Sequence, residues 1–146
     1  MPAAFDKLFA AFPQWQSLAR TELDDSGQAY EVVEIAAPAS AMVEHGLVID
    51  SSNDEITVGF DCYHSHFDQW LGDGAHFGTT AALEFVKQIM TEQVAVVSWW
   101  QNEEWRGSAQ LEPLDSAKPP SWAAAGTFNR IRVRSWNGTH NADFSA

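Results

Sequence analysis

Six segments of this 146-residue chain read as β-strands and only two as helices, and that imbalance limits the fold more than any other feature. Neighbouring parallel strands need a crossover of a dozen or more residues, usually a helix. Two helices cannot supply crossovers for six strands. The expected class is therefore α+β: a mostly antiparallel sheet, an N-terminal helix and a second helix packed on one face. The strand segments are residues 30–36, 47–50, 56–66, 94–100, 105–111 and 128–136, which are rich in β-branched and aromatic side chains or alternate with period two. Leu47 to Ile49 and Ile56 to Phe60, joined by a turn over Ser51 to Asp54, read as a hairpin. In Arg130-Ile131-Arg132-Val133-Arg134 the aliphatic residues face one side and the arginines the other, the pattern of a half-buried strand.

The helices follow from the other period. Phe5, Leu8, Phe9 and Phe12 fall at i, i+3, i+4 and i+7, and Pro13 should end the helix they define. Thr21 to Gln28, with Asp24, Asp25, Ser26 and Gly27, has no period and reads as an exposed acidic loop. A second helix is expected from Thr80, as N-cap, to about Gln93, with Leu83, Val86 and Met90 on its buried stripe and Phe85 and Ile89 beside them. Gly72, Gly74 and Gly78 break the chain before it, and Pro113, Pro119 and Pro120 mark a later loop. Nothing in this order requires a boundary, so residues 1–146 are expected to form a single α+β domain.

Charge narrows the partners. Eight Lys and Arg against twenty Asp and Glu leave a net charge of −12, which repels phosphate backbones and anionic membranes. Neither nucleic acid nor membrane is expected as a partner, and a basic protein is. Cys62 is the only cysteine, which excludes an intramolecular disulfide and suits a reducing compartment. Asp6 and Lys7 interrupt the apolar N-terminus, and no run of about eighteen apolar residues occurs. A cytoplasmic location is the expectation. Asn137-Gly138-Thr139 matches a glycosylation sequon but reads as a turn.

The densest group of polar functional side chains is Asp61, Cys62, Tyr63, His64, Ser65, His66, Phe67 and Asp68. If the strand runs through it, Cys62, His64, His66 and Asp68 share one face, with Asp61 and Tyr63 opposite. Two imidazoles on one face can chelate a cation, but zinc takes three or four ligands, so Cys62, Asp68, His76 or His140 would have to complete the shell. Since two histidines fill half of it, the pair is expected to carry no metal, and no cofactor is expected. A carboxylate such as Asp68 nearby would favour the protonated imidazole. Gly-x-Ser-x-Gly, a phosphate-cradling loop followed by Lys, and His-Glu-x-x-His are all missing, which makes an enzyme the less expected class. Cys62 reads as a packed thiol rather than a nucleophile.

Trp99, Trp100 and Trp105, with Glu103 and Glu104 between them, form the second unusual cluster. Adjacent tryptophans on a strand point to opposite faces, and an exposed one beside carboxylates suits an interface with a basic protein. The candidate binding residues are accordingly Trp100, Glu103, Glu104, Trp105, Asp61, His64, His66 and Asp68. The competing expectation is a metal-dependent hydrolase or metal-binding protein that uses the His-x-His pair.

Val58-Gly59-Phe60-Asp61-Cys62-Tyr63-His64-Ser65-His66-Phe67-Asp68, together with Arg132-Val133-Arg134-Ser135-Trp136-Asn137-Gly138-Thr139, resembles small bacterial immunity proteins of polymorphic toxin systems. The resemblance implies a cytoplasmic, acidic protein that binds and neutralises a cognate toxin domain. It implies no catalytic residues.

Overall fold

The computed structural model describes residues 5–52, 55–68, 77–111 and 128–145, with Asp68, Phe77 and Gly78 described by their backbone alone. The fold class is α+β. In chain order the elements are α1 (Asp6–Ala11), β1 (Arg20–Leu23), β2 (Ala29–Ile35), β3 (Leu47–Asp50), β4 (Glu55–Phe60), β5 (Tyr63–Asp68), α2 (Phe77–Met90), β6 (Ala95–Gln101), β7 (Glu104–Leu111), β8 (Arg130–Arg134) and β9 (Ala142–Ser145). The strands form two sheets rather than the single one expected, ordered β1-β2-β3-β4-β5 and β7-β6-β8-β9. Period two tells which face a strand buries; it does not tell which strand it pairs with. The chain gathers into two compact units, one of Met1–Ala36, Gly46–Gly59 and His64–Lys87, the other of Ala37–His45, Phe60–Tyr63 and Gln88–Ala146.

In the first unit α1 buries Leu8 and Phe9, and Phe5 packs edge-on against Phe9 with ring centroids 5.6 Å apart. Pro13 ends the α-helix, as its missing N–H requires, and opens a 3-10 helix (Pro13–Leu18). Trp15 is buried there and stacks on Phe12 at 4.1 Å, whereas Leu18 is exposed. β1 occupies part of the expected acidic loop, pairing antiparallel with β2 from Arg20 opposite Val32 to Leu23 opposite Ala29. It buries no residue, so backbone pairing and exposed polar contacts to β2, such as Thr21 Oγ1 donating to Glu31 at 2.9 Å, make it a strand and no apolar signal announces it.

β3 and β4 alternate buried and half-buried residues, as a half-covered sheet demands. Their Ile49 and Ile56 line a small apolar cavity with Phe5, Leu8, Ala82 and Val86, which places both helices over this face. On α2 the buried stripe is Ala82, Phe85, Val86 and Ile89; the expected Leu83 and Met90 are only half-buried at its margins. Thr80 is not the N-cap. The helix begins at Phe77, and the Thr80 hydroxyl accepts a hydrogen bond from Lys7 Nζ at 2.9 Å. The Gly72 and Gly74 breaks lie outside the described residues, as does the loop marked by Pro113, Pro119 and Pro120.

In the second unit β6 is central, and Ala95 to Trp100 are buried without interruption. Ala95, Val97, Trp99, Leu111 and Val133 form one core cluster. The β6–β7 register shifts between Trp99 and Trp100, which sets Trp99 opposite Gly107. A β-carbon on Gly107 would lie 2.7 Å from the Trp99 indole, so the missing side chain makes room for the largest one in this core.

The strand expected over 128–136 is shorter, Arg130–Arg134, and the expected turn at Asn137-Gly138-Thr139 lies between it and β9, held by a residue from elsewhere in the chain. The Glu92 carboxylate accepts from Asn137 Nδ2 at 3.2 Å, Thr139 N at 3.1 Å and Thr139 Oγ1 at 2.7 Å. Partial burial pushes the Glu92 pKa up, but hydrogen bonds from Ser135, Thr139 and Asn137 together outweigh it and hold the group at about 2, below its ordinary 4.5. A depressed carboxylate stabilises the fold above the unfolded value and loses that contribution as pH falls through the folded one. Between pH 4.5 and 2 the native chain should therefore lose about 1 to 2 kcal/mol from this group, after allowance for solvent screening. Urea midpoints measured across that window should fall less steeply for Glu92→Gln. Parallel pH profiles for the two chains would refute the assignment.

Candidate functional site

The strand with the clearest sequence pattern departs most from its expected environment. Arg130, Arg132 and Arg134 share one face of β8, yet that face is not solvated, since Arg132 and Arg134 are 9% and 7% exposed. Arg132 Nη2 donates to both carboxylate oxygens of Asp61 at 3.0 Å and lies 3.6 Å from Cys62 Sγ. Arg134 Nη2 reaches Asp143 at 3.3 Å, and its Nε donates to the Met42 carbonyl at 3.3 Å. The guanidinium carbons of Arg130 and Arg132 sit 5.2 and 5.1 Å from the centroid of Trp100, whose negative π face attracts them. Burial by itself would lower the Arg132 pKa, but the Asp61 charge and hydrogen bonds raise it above the ordinary value. Arg132 therefore stays charged inside the unit.

Asp61 is where the expected long strand breaks. The 56–66 segment is two strands, β4 and β5, with Asp61 and Cys62 between them and Asp61 in the left-handed region at φ 53°. Asp tolerates that conformation better than most residues. Cys62 is thus in the turn, not on the face shared by the histidines. Burial first, and the Asp61 charge second, push its thiol up to about 11, so it is protonated and unreactive at neutral pH. Asp61 has no exposed carboxylate to offer a partner, because its side chain is 0% exposed. Trp100 is likewise turned inward at 8% exposure, its Nε1 donating to Ser98 Oγ at 2.9 Å.

The other members of that cluster do reach the surface. Asn102 and Glu103 turn the chain from β6 into β7, with Asn102 at φ 56°. Asn102 N donates to Asn129 Oδ1 at 2.9 Å, Asn129 Nδ2 donates back to Asn102 Oδ1 at 3.0 Å, and Asn129 N donates to the Trp100 carbonyl at 2.8 Å. This clamp fixes the tip on which Glu103 and Glu104 are exposed and Trp105 keeps 49% of its surface in solvent. Asn129 was not a sequence candidate; an Asn just before a strand is ordinary turn chemistry and gives no sign of its distant partner.

His64 and His66 lie on one face of β5, both exposed, with ring centroids 5.0 Å apart and planes at 78°. The carboxylate beside them is Glu55 of β4, whose Oε1 is 2.9 Å from His66 Nδ1, and Thr57 Oγ1 lies 2.8 Å from the same nitrogen. The side chain of Asp68, and His76, lie outside the described residues. Among the described residues no three of His, Cys, Asp and Glu gather as a metal cage.

No helix among the described residues is long and apolar enough to cross a membrane. No protein-family model, curated protein or solved structure matches the chain.

Proposed function

We propose that this chain is an acidic binding protein of the immunity kind, which neutralises a basic toxin domain through the β6–β7 tip. The observation that carries the reading is where the charges go. Three of the eight basic residues are gathered on β8, and two of these are buried against Asp61 and Asp143. A quarter of the basic residues are thereby internal, while Glu103 and Glu104 stand exposed on a tip held by Asn102 and Asn129. Trp105 adds a large aromatic surface with little conformational freedom to lose on binding, the chemistry found at interface hot spots.

A basic domain encoded beside this gene, with its toxic activity as readout, is the direct test. The chain should suppress that activity, and association should slow steeply as salt rises. Trp105→Ala should weaken the complex by about 2 kcal/mol, roughly 30-fold, without moving the urea midpoint. Glu103→Lys with Glu104→Lys should chiefly slow association. A complex indifferent to all three changes, or no neutralisation by the native chain, overturns the reading.

A further inference from the structure

The geometry points to a second site, independent of the tip: His64 and His66 form an open two-imidazole chelate for a divalent transition-metal ion, with Glu55 as the group that orients it. His66 Nδ1 lies 2.9 Å from Glu55 Oε1, and because a carboxylate only accepts, this neighbour favours the ring form with a proton on Nδ1. That form leaves the lone pair on Nε2. Metal-bound histidines usually donate their other ring N–H to a carboxylate in this way, which fixes the tautomer and makes the ligating nitrogen more basic. Thr57 Oγ1, 2.8 Å from the same Nδ1, further restrains the ring.

His64 supplies the second imidazole from the same strand face, its ring centroid 5.0 Å from that of His66. Both rings are exposed on β5, a strand at the edge of its sheet, so an ion can arrive and leave without any opening of the fold. Two nitrogen donors leave half of a tetrahedral shell to water or to an oxygen of another molecule. The site is therefore exchangeable and does not contribute a structural cage. Imidazole favours Zn2+, Ni2+ and Cu2+ over the hard ions Mg2+ and Ca2+, and the order among the first group should follow Cu2+ above Ni2+ and Zn2+. The net charge of −12 enriches any cation near the surface, which raises encounter but not selectivity.

Zinc chloride titrated into the untagged, EDTA-stripped protein at pH 7.5, followed by calorimetry and imidazole NMR, tests this. One ion per chain should bind, with resonances of both rings shifted and excess Mg2+ failing to compete. His64→Ala and His66→Ala should each abolish measurable binding while the far-UV circular dichroism is unchanged. Glu55→Ala should weaken zinc about 10-fold, the usual effect of losing a partner behind a ligand. The proposal is overturned if the native chain takes up no zinc, or if the double variant His64→Ala/His66→Ala retains it. Unchanged affinity in Glu55→Ala removes the orienting role on which it rests.

Discussion

Gly138→Ala should be among the most damaging single-methyl changes in this protein, lowering stability by about 3 kcal/mol or more. Two costs coincide at this position. Gly138 has φ +81°, which an L-residue adopts at a penalty of about 1 to 2 kcal/mol. An added β-carbon would also fall on the backbone carbonyl of Ser40, and a carbonyl cannot swing aside as a side-chain end can. The neighbourhood is already pinned: Asn141 Nδ2 donates to the Ala41 carbonyl at 2.7 Å, and Ser135 N donates to Asn141 Oδ1 at 2.8 Å. Gly27 provides the control, since it has φ +84° and nothing within 4 Å of where its β-carbon would lie. Gly27→Ala should show the conformational penalty alone. Urea denaturation of both variants separates the terms, and equal midpoints would show that the Ser40 contact does not matter.

Asp61→Asn should cost about 3 to 5 kcal/mol, the range for leaving one member of a buried ion pair uncompensated. Asn is the informative replacement because it tolerates the left-handed backbone of this position and keeps the side-chain shape, so the loss reports charge. Arg132 would remain 9% exposed, stacked on Trp100 and with no carboxylate to answer it. Among the described residues its Nε is already buried without a hydrogen-bond partner, which leaves Asp61 as its main electrostatic support. Arg132→Met in the Asp61→Asn background should recover part of the loss, because the pair matters more once one half is missing than when both are replaced by groups that fit. Additive free energies across this cycle, or a loss below about 1 kcal/mol for Asp61→Asn, would show that the pair is not the support inferred.

The strands differ in how far they could be read from residues alone. In β3 and β4 alternation is regular because one face of the sheet is covered, and those strands and their order along the chain are as expected. β1 and β9 have no such alternation: β1 buries nothing, and Asp143, Phe144 and Ser145 of β9 are all exposed. A strand held chiefly by its ladder has no apolar signature. The histidine pair is legible because residues two apart on a strand always share a face, but the sequence points to Asp68 as its carboxylate, whereas Glu55, eleven residues before His66, is brought there by the hairpin. The tryptophan cluster was half legible. Alternation separates Trp99 from Trp100, yet the register shift that sets Trp105 opposite Trp100 and the arginines that cover Trp100 come from strands adjacent only in the folded sheet.

By itself the sequence determined the α+β class, the negative charge, the helix that Pro13 interrupts, the turn at Asn137-Gly138 and the shared face of His64 and His66. All of these follow from local periodicity, local backbone preference or simple counting. The tertiary structure decided that the strands divide into two sheets, that Asp61 turns inward to Arg132, and that the arginine face of β8 is buried while the Glu103–Trp105 tip is exposed. The physical reason is that desolvation and pairing energies depend on what stands opposite a side chain. In Arg130 to Arg134 the same alternation serves a solvated face or an internal ladder, and only the position of Asp61, 71 residues away along the chain from Arg132, distinguishes them.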